Sequence, residues 1–142
     1  SWQRPVESPL PAPPRPGSLE RVVIGEGAPN AEFPPGRFVP ADTVKAALDA
    51  GRRMVILDAR PPSDYSRAHI AHAISAPFYE TADYAAQIPK DAPVVTYCGC
   101  PHAESGVAAD TLRARGYTTF VLDEGFTVWR ERGYPVRGGP RP

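Results

Sequence analysis

Net charge, long apolar runs and cysteine are all scarce in this chain of 142 residues, and each shortage removes a class of function. Lys plus Arg and Asp plus Glu number 16 each, so the formal net charge is zero. Such balance argues against non-specific nucleic-acid binding and against a membrane-surface role, while leaving a local patch open. No apolar run approaches the roughly 20 residues of a membrane-spanning helix, and no charged-then-apolar leader is visible. The single methionine is Met54, so no initiator is present and we expect a processed product or a fragment. A signal peptide or membrane tether in a missing N-terminal segment would fit that expectation. Together with a proline-rich beginning, it favours a periplasmic or membrane-tethered bacterial protein over a cytoplasmic one. Two cysteines, Cys98 and Cys100, cannot staple a domain together. Separated by one residue, they also make a poor structural disulfide, although a strained, labile bond is chemically open.

Proline is what the chain has in excess. Ten of its 19 prolines fall in residues 1–40, a density incompatible with regular helix or central strand. Residues 1–36 therefore read as a Pro/Gly-rich N-terminal tail or linker, with Val22-Val23-Ile24 as a short strand or docked segment inside it. Residues 37–136 read as one domain, and 137–142 as a flexible C-terminal end. Within the domain, Val55-Ile56-Leu57, Ala73-Ile74-Ser75, Val94-Val95-Thr96 and Thr119 to Leu122 predict strands. Helices are predicted over Ala41 to Ala50, around Ser63 to Arg67, over Thr81 to Gln87, up to Arg115 and from Phe126 to about Arg132. Strands alternating with helices at this spacing argue a parallel sheet covered on both faces.

The stretch Tyr97-Cys98-Gly99-Cys100-Pro101-His102-Ala103-Glu104-Ser105 stands between one of those strands and a helix. A strand that ends in a Gly/Pro loop and opens a helix gathers free backbone N–H groups at the positive end of a helix dipole. A thiol held there has its thiolate stabilised, which marks Cys98 as a candidate nucleophile. The plain alternative is a small buried hydrophobe. In parallel sheets ligands bind beyond the carboxyl ends of the strands. That rule brings Asp58 and Arg60, Phe78 to Glu80, Cys98 to Glu104 and Asp123 to Gly125 to one face. Phe126 and Trp129 follow, either as an aromatic wall or as packing.

Leu57-Asp58-Ala59-Arg60, Asp64-Tyr65, His69 to Ile74, Val95 to Cys98, Gly116-Tyr117, Leu122 to Phe126, Trp129 and Gly133 to Val136 together resemble a single rhodanese domain. The resemblance implies an α/β fold, three-layer α/β/α, with a central, mainly parallel five-stranded sheet. It implies a sulfurtransferase in which Cys98 carries a persulfide and passes its outer sulfur to a thiophilic acceptor. Gly99, Cys100, Pro101, His102, Ala103 and Glu104 would form the loop that cradles it. Asp58 and Arg60 match the family's acidic and basic pair, a supporting role. No metal or other cofactor is implied; the partners implied are a small-molecule or protein-bound sulfur donor and a thiol acceptor. His69 falls where the family has a hydrogen-bonding scaffold residue, and His72 where glycine is commoner.

Two departures qualify the resemblance. From Asp91 to Leu112 there is no Lys or Arg, where many thiosulfate-using members carry one, and Glu104 is present instead. Thiosulfate is accordingly expected to be a poor donor. The same Glu104-Ser105 ending argues against phosphate hydrolysis of the type seen in related phosphatases. Cys100 opens a second chemistry, a thiol redox module in which it resolves a sulfur species on Cys98. Cys98, Cys100 and His102 at alternate positions also suit Cu(I) or zinc, so a soft-metal-binding or partner-docking module stands as the non-enzymatic alternative.

Overall fold

The computed structural model describes residues 22–99 and 102–142. Residues 1–21, Cys100 and Pro101 lie outside the described residues, so what was expected of the first part of the tail and of those two loop positions is not addressed.

Five strands, β1 (Phe38–Val39), β2 (Val55–Asp58), β4 (Ile74–Ser75), β5 (Val94–Tyr97) and β6 (Thr119–Leu122), form one parallel sheet in the order β1-β6-β5-β2-β4. All four pairings are parallel, with β5 matched to β2 from Val55↔Val94 to Asp58↔Tyr97. A small antiparallel pair, β3 (His69–Ile70) with β7 (Val136–Arg137), stands apart. Helices α1 (Ala41–Asp49), α2 (Pro62–Arg67), α3 (Thr81–Ala85), α4 (Ala103–Arg113) and α5 (Gly125–Glu131) connect the strands.

The period of two along each strand decides the layers. Ile56, Val95 and Tyr97 turn to one face, where Val44, Ala47, Leu122, Phe126 and Trp129 complete an apolar cluster under α1 and α5. Val55, Leu57 and Val94 turn to the other, against Tyr84, Ala85, Ile88 and Leu112 of the α3 and α4 side. β2 and β5 are buried at every residue, as a near-continuous β-branched and leucine run requires in a parallel sheet. Trp129 is fully buried and its indole N–H donates to the Pro135 carbonyl at 3.0 Å, so it belongs to the core and forms no wall of a site.

Two stretches assigned to the ends by composition make contacts with the domain. Ile24 exchanges backbone hydrogen bonds with Met54 at 2.8 and 3.0 Å, and the Ala31 N–H donates to the Arg53 carbonyl. Val22, Val23 and Phe33 lie against the two apolar clusters. At the other end the Gly139 N–H donates to the Ser66 carbonyl at 2.7 Å. Prolines forbid regular strand in residues 22–36 but leave single bridges and apolar contacts, which is what forms.

Strand order positions the site. From β2 the chain builds outward to β4, whereas β5, β6 and β1 lie on the opposite side. The change of direction falls between β2 and β5, the place where open parallel sheets leave a crevice past their carboxyl ends. Asp58 ends β2 there, and Cys98 follows the end of β5.

Candidate active site

Cys98 leaves β5 with its backbone held from two directions. The preceding Tyr97 carbonyl accepts from the Ala59 N–H at 2.8 Å, and the Cys98 carbonyl accepts from the Phe126 N–H at 2.9 Å. The Cys98 residue is fully buried, yet it joins neither apolar cluster. Its Sγ lies 3.3 Å from Ser105 Oγ in the first turn of α4. Burial agrees with Cys98 as a packing residue; a hydroxyl in contact with the sulfur is what a packing residue would not call for.

Helix α4 starts against this sulfur because a bond from β5 holds its first turn there. Thr96 Oγ1 donates to the Ser105 carbonyl at 2.9 Å, tying the first turn back to β5. His102 is the N-cap residue, with its carbonyl accepting the Gly106 N–H at 2.8 Å. The His102 side chain makes no cap hydrogen bond, and the amide end of a helix favours negative charge.

Asp58 and Arg60, to which the resemblance gives a supporting role, pair with one another. Asp58 Oδ1 accepts from the Arg60 backbone N–H and from Nε, both at 3.0 Å, and Oδ2 accepts from Nη2 at 2.7 Å. Arg60 Nη2 also donates to the Ala68 carbonyl at 2.6 Å, and the guanidinium lies over the Phe126 ring at 4.2 Å. Burial by itself would weaken the Arg60 cation, but the hydrogen bond and charge of Asp58 outweigh it and raise its pKa. Its charge is matched inside the protein, so a substrate anion finds no unpaired cation there. Gly99 sits above this pair; a Cβ on it would meet Arg60 Cδ at 3.9 Å, an ordinary contact.

His102 turns outward. Nε2 donates to the Asp123 carbonyl at 2.8 Å and to Asp123 Oδ1 at 3.1 Å, and the ring lies 4.4 Å from that of Phe38. The imidazole is thus half exposed on the β6 side, whereas the Cys98 sulfur is buried beneath α4. Among the described residues no three His, Cys, Asp or Glu side chains gather as metal ligands. Ala103 is exposed at the start of α4, and Glu104 is half-buried. Desolvation, then the charges of Asp64 and Asp58, push the Glu104 carboxyl above its ordinary range, and Arg60 only partly opposes them. Phe78 and Tyr79 stand after β4 as expected, their rings 5.2 Å apart, with Tyr79 exposed.

The two histidines outside the loop differ in setting. His69 is buried and stacked on Tyr65 with centroids 3.7 Å apart, and its Nδ1–H donates to the Tyr65 carbonyl at 2.8 Å. His72 has φ of +72°, the left-handed conformation that glycine takes without cost. Two partners of the site escaped the sequence reading. Ser105 closes the quoted stretch but was not assigned a role, and Tyr97 supports Asp58 through its hydroxyl at 2.8 Å. The only sequence signal for Ser105 was its place in the first helical turn after the loop.

The family profile described as the Rhodanese-like domain matches residues 40–132. The chain belongs to the rhodanese-like domain family. This rhodanese-like domain is 29% identical over 99 residues to the thiosulfate sulfurtransferase GlpE of Pseudomonas fluorescens, covering 69% of this chain and 87% of that protein. It is 33% identical over 105 residues to an HTH-type transcriptional regulator of Mycobacterium tuberculosis, covering 70% of this chain and 46% of the regulator. The chain therefore spans about half the length of that relative. Among solved structures it resembles the rhodanese-like domain of the Alr3790 protein from Anabaena, with a TM-score of 0.67, 26% identity, and coverage of 73% of this chain and 80% of that one. The rhodanese-like domain thus falls in a sulfurtransferase-type family.

Proposed function

We propose that this rhodanese-like domain carries sulfane sulfur as a persulfide on Cys98 and passes it to a thiol acceptor. The observation that carries the reading is the position of the Cys98 sulfur, at the end of the central strand and against the first turn of α4. In the loading step the Cys98 thiolate attacks the outer sulfur of a donor persulfide. A new bond forms to Sγ, the donor's S–S bond breaks, and its electron pair leaves with the donor thiolate. In the delivery step an acceptor thiolate attacks that same outer sulfur and Cys98 leaves as thiolate. Sulfur moves with no net change in the number of electrons. The backbone N–H groups at the start of α4 favour the anionic sulfur without a metal.

The donor we infer is a neutral small-molecule persulfide or a protein-bound one, with a thiol as acceptor. Arg60 is matched by Asp58, no Lys or Arg occurs from Asp91 to Leu112, and Glu104 adds negative charge nearby. A dianion such as thiosulfate meets no compensating charge among these groups.

Intact mass after incubation with an organic persulfide or with thiosulfate tests this in wild type, Cys98→Ser and Cys100→Ser. One added sulfur, removable by cyanide and lost only in Cys98→Ser, is the expected result. Loss in both variants would replace this reading with the paired-thiol mechanism. Efficient steady-state turnover of thiosulfate would overturn the donor assignment.

A further inference from the structure

We infer that the Ser105 hydroxyl is a positioning and hydrogen-bonding partner of the Cys98 sulfur, donating to it whenever it is anionic. The inference rests on the persulfide reading of Cys98 and goes one residue further. Ser105 Oγ and Cys98 Sγ are 3.3 Å apart, and both residues are fully buried. A neutral thiol and a hydroxyl can share a proton in either direction. A thiolate has no hydrogen to give, so in that state only the hydroxyl donates. Hydrogen bonds to charged groups are stronger than neutral ones, and a buried site weakens competition from water.

The orientation of Ser105 is set by its neighbours. Thr96 Oγ1 holds the Ser105 carbonyl at 2.9 Å, fixing the first turn of α4 on the same strand that delivers Cys98. Strand and helix are thereby coupled at one point, with the two side chains facing each other across it. The hydroxyl serves both halves of the reaction. In loading it stabilises the attacking thiolate. In delivery, as the bond between Sγ and the outer sulfur breaks and its electron pair returns to Sγ, it receives the leaving group already oriented.

The test is the pH profile of Cys98 alkylation by iodoacetamide, with the adduct assigned to Cys98 by tandem mass spectrometry. Ser105→Ala is expected to move the profile up by about one pH unit, which slows alkylation about tenfold at pH values well below the wild-type midpoint, the loss of one hydrogen bond to a charged group. Ser105→Thr and Ser105→Val match each other in volume and differ in the hydroxyl, so this pair carries the test where alanine leaves a cavity. Threonine should keep the wild-type profile and valine should shift it as alanine does. Coincident profiles for threonine and valine, or an alanine variant that follows wild type, overturn the inference. Alkylation needs no sulfur donor. A domain that fails to load sulfur and a domain whose profile ignores residue 105 are therefore separate results, the first against the proposed function and the second against this inference.

Discussion

Tyr97 and Asp58, 39 residues apart in sequence, meet beneath the loop: the Tyr97 hydroxyl donates to Asp58 Oδ2 at 2.8 Å and accepts the Ile70 N–H at 3.0 Å. Burial pushes the Tyr97 phenol well above its ordinary range, and the neighbouring Asp58 charge adds to it, so the hydroxyl stays a donor at every working pH. This junction links β2, β5 and β3 below Cys98.

Tyr97→Phe should therefore be destabilising with little change in volume. It leaves a buried carboxylate one donor short and the Ile70 N–H without its acceptor, a loss of about 1–3 kcal/mol. Urea unfolding of the two proteins measures it. Asp58→Asn, which breaks the buried pair with Arg60, should cost more, about 3–5 kcal/mol. A smaller effect for Asp58→Asn than for Tyr97→Phe would contradict the account of the network.

Glu104→Gln should improve thiosulfate use. Removing one negative charge from the first turn of α4 is expected to raise kcat/KM for thiosulfate on the order of tenfold while changing a neutral persulfide donor little. In the unaltered domain the same effect should follow pH. Desolvation and then Asp64 and Asp58 raise the Glu104 pKa above 4.5, so lowering pH through that raised value neutralises the side chain and favours the dianion. The sign for stability is opposite to that of an ordinary ion-paired carboxylate. Between 4.5 and the raised value the folded state holds the proton more tightly than the unfolded chain, so this group's contribution is present at low pH and lost as pH rises. Glu104→Gln should be the more stable protein at pH 7, and thermal melts check it.

Stability should fall as the medium is acidified below pH 6.5, through His69. Desolvation holds this imidazole below 6.5, against the opposing pull of the Tyr65 carbonyl. The folded state thus binds its proton less readily than the unfolded chain, and its contribution is complete above 6.5 and lost as pH drops toward the lowered value. His72 is shifted the same way, by desolvation and then by Arg137. Urea midpoints at pH 7.5 and 5.5 should differ in wild type and differ less in His69→Gln. An unchanged difference would remove His69 from the account.

His72→Gly should raise stability, by up to about 1 kcal/mol. Its left-handed φ of +72° costs a side-chain-bearing residue more than glycine, and the greater freedom of glycine in the unfolded chain offsets part of the gain. A clear fall in the urea midpoint would show that the His72 side chain makes compensating contacts.

The sheet was legible because the signals of its strands are local. Continuous apolar and β-branched runs in Val55 to Leu57 and Val94 to Thr96 announce buried strands, whereas the role of Asp58 and Arg60, two residues apart and bonded to each other, was legible through the resemblance. The left-handed turn at His72 was legible only through the resemblance, as a position where glycine is commoner. Val22 to Ile24 reads as a short strand or docked segment, but the partners of Ile24 and Asn30 were not legible, because their bridges to Met54 and Arg53 join segments that composition treats as unrelated.

Taken by itself, the chain determined that Cys98 follows a strand and precedes a helix, that it has one cysteine neighbour two positions on, and that no Lys or Arg stands near it in sequence. Those are facts of order and spacing; the family itself is legible only from the motifs between Leu57 and Val136 taken together. Only the tertiary structure decided that Cys98 is buried, that it meets Ser105, and that His102 turns to Asp123 across 21 residues instead of joining Cys98. The reason is physical: spacing controls contacts within a turn or two of backbone, whereas side chains beyond that range meet only where a packed sheet and its helices hold them.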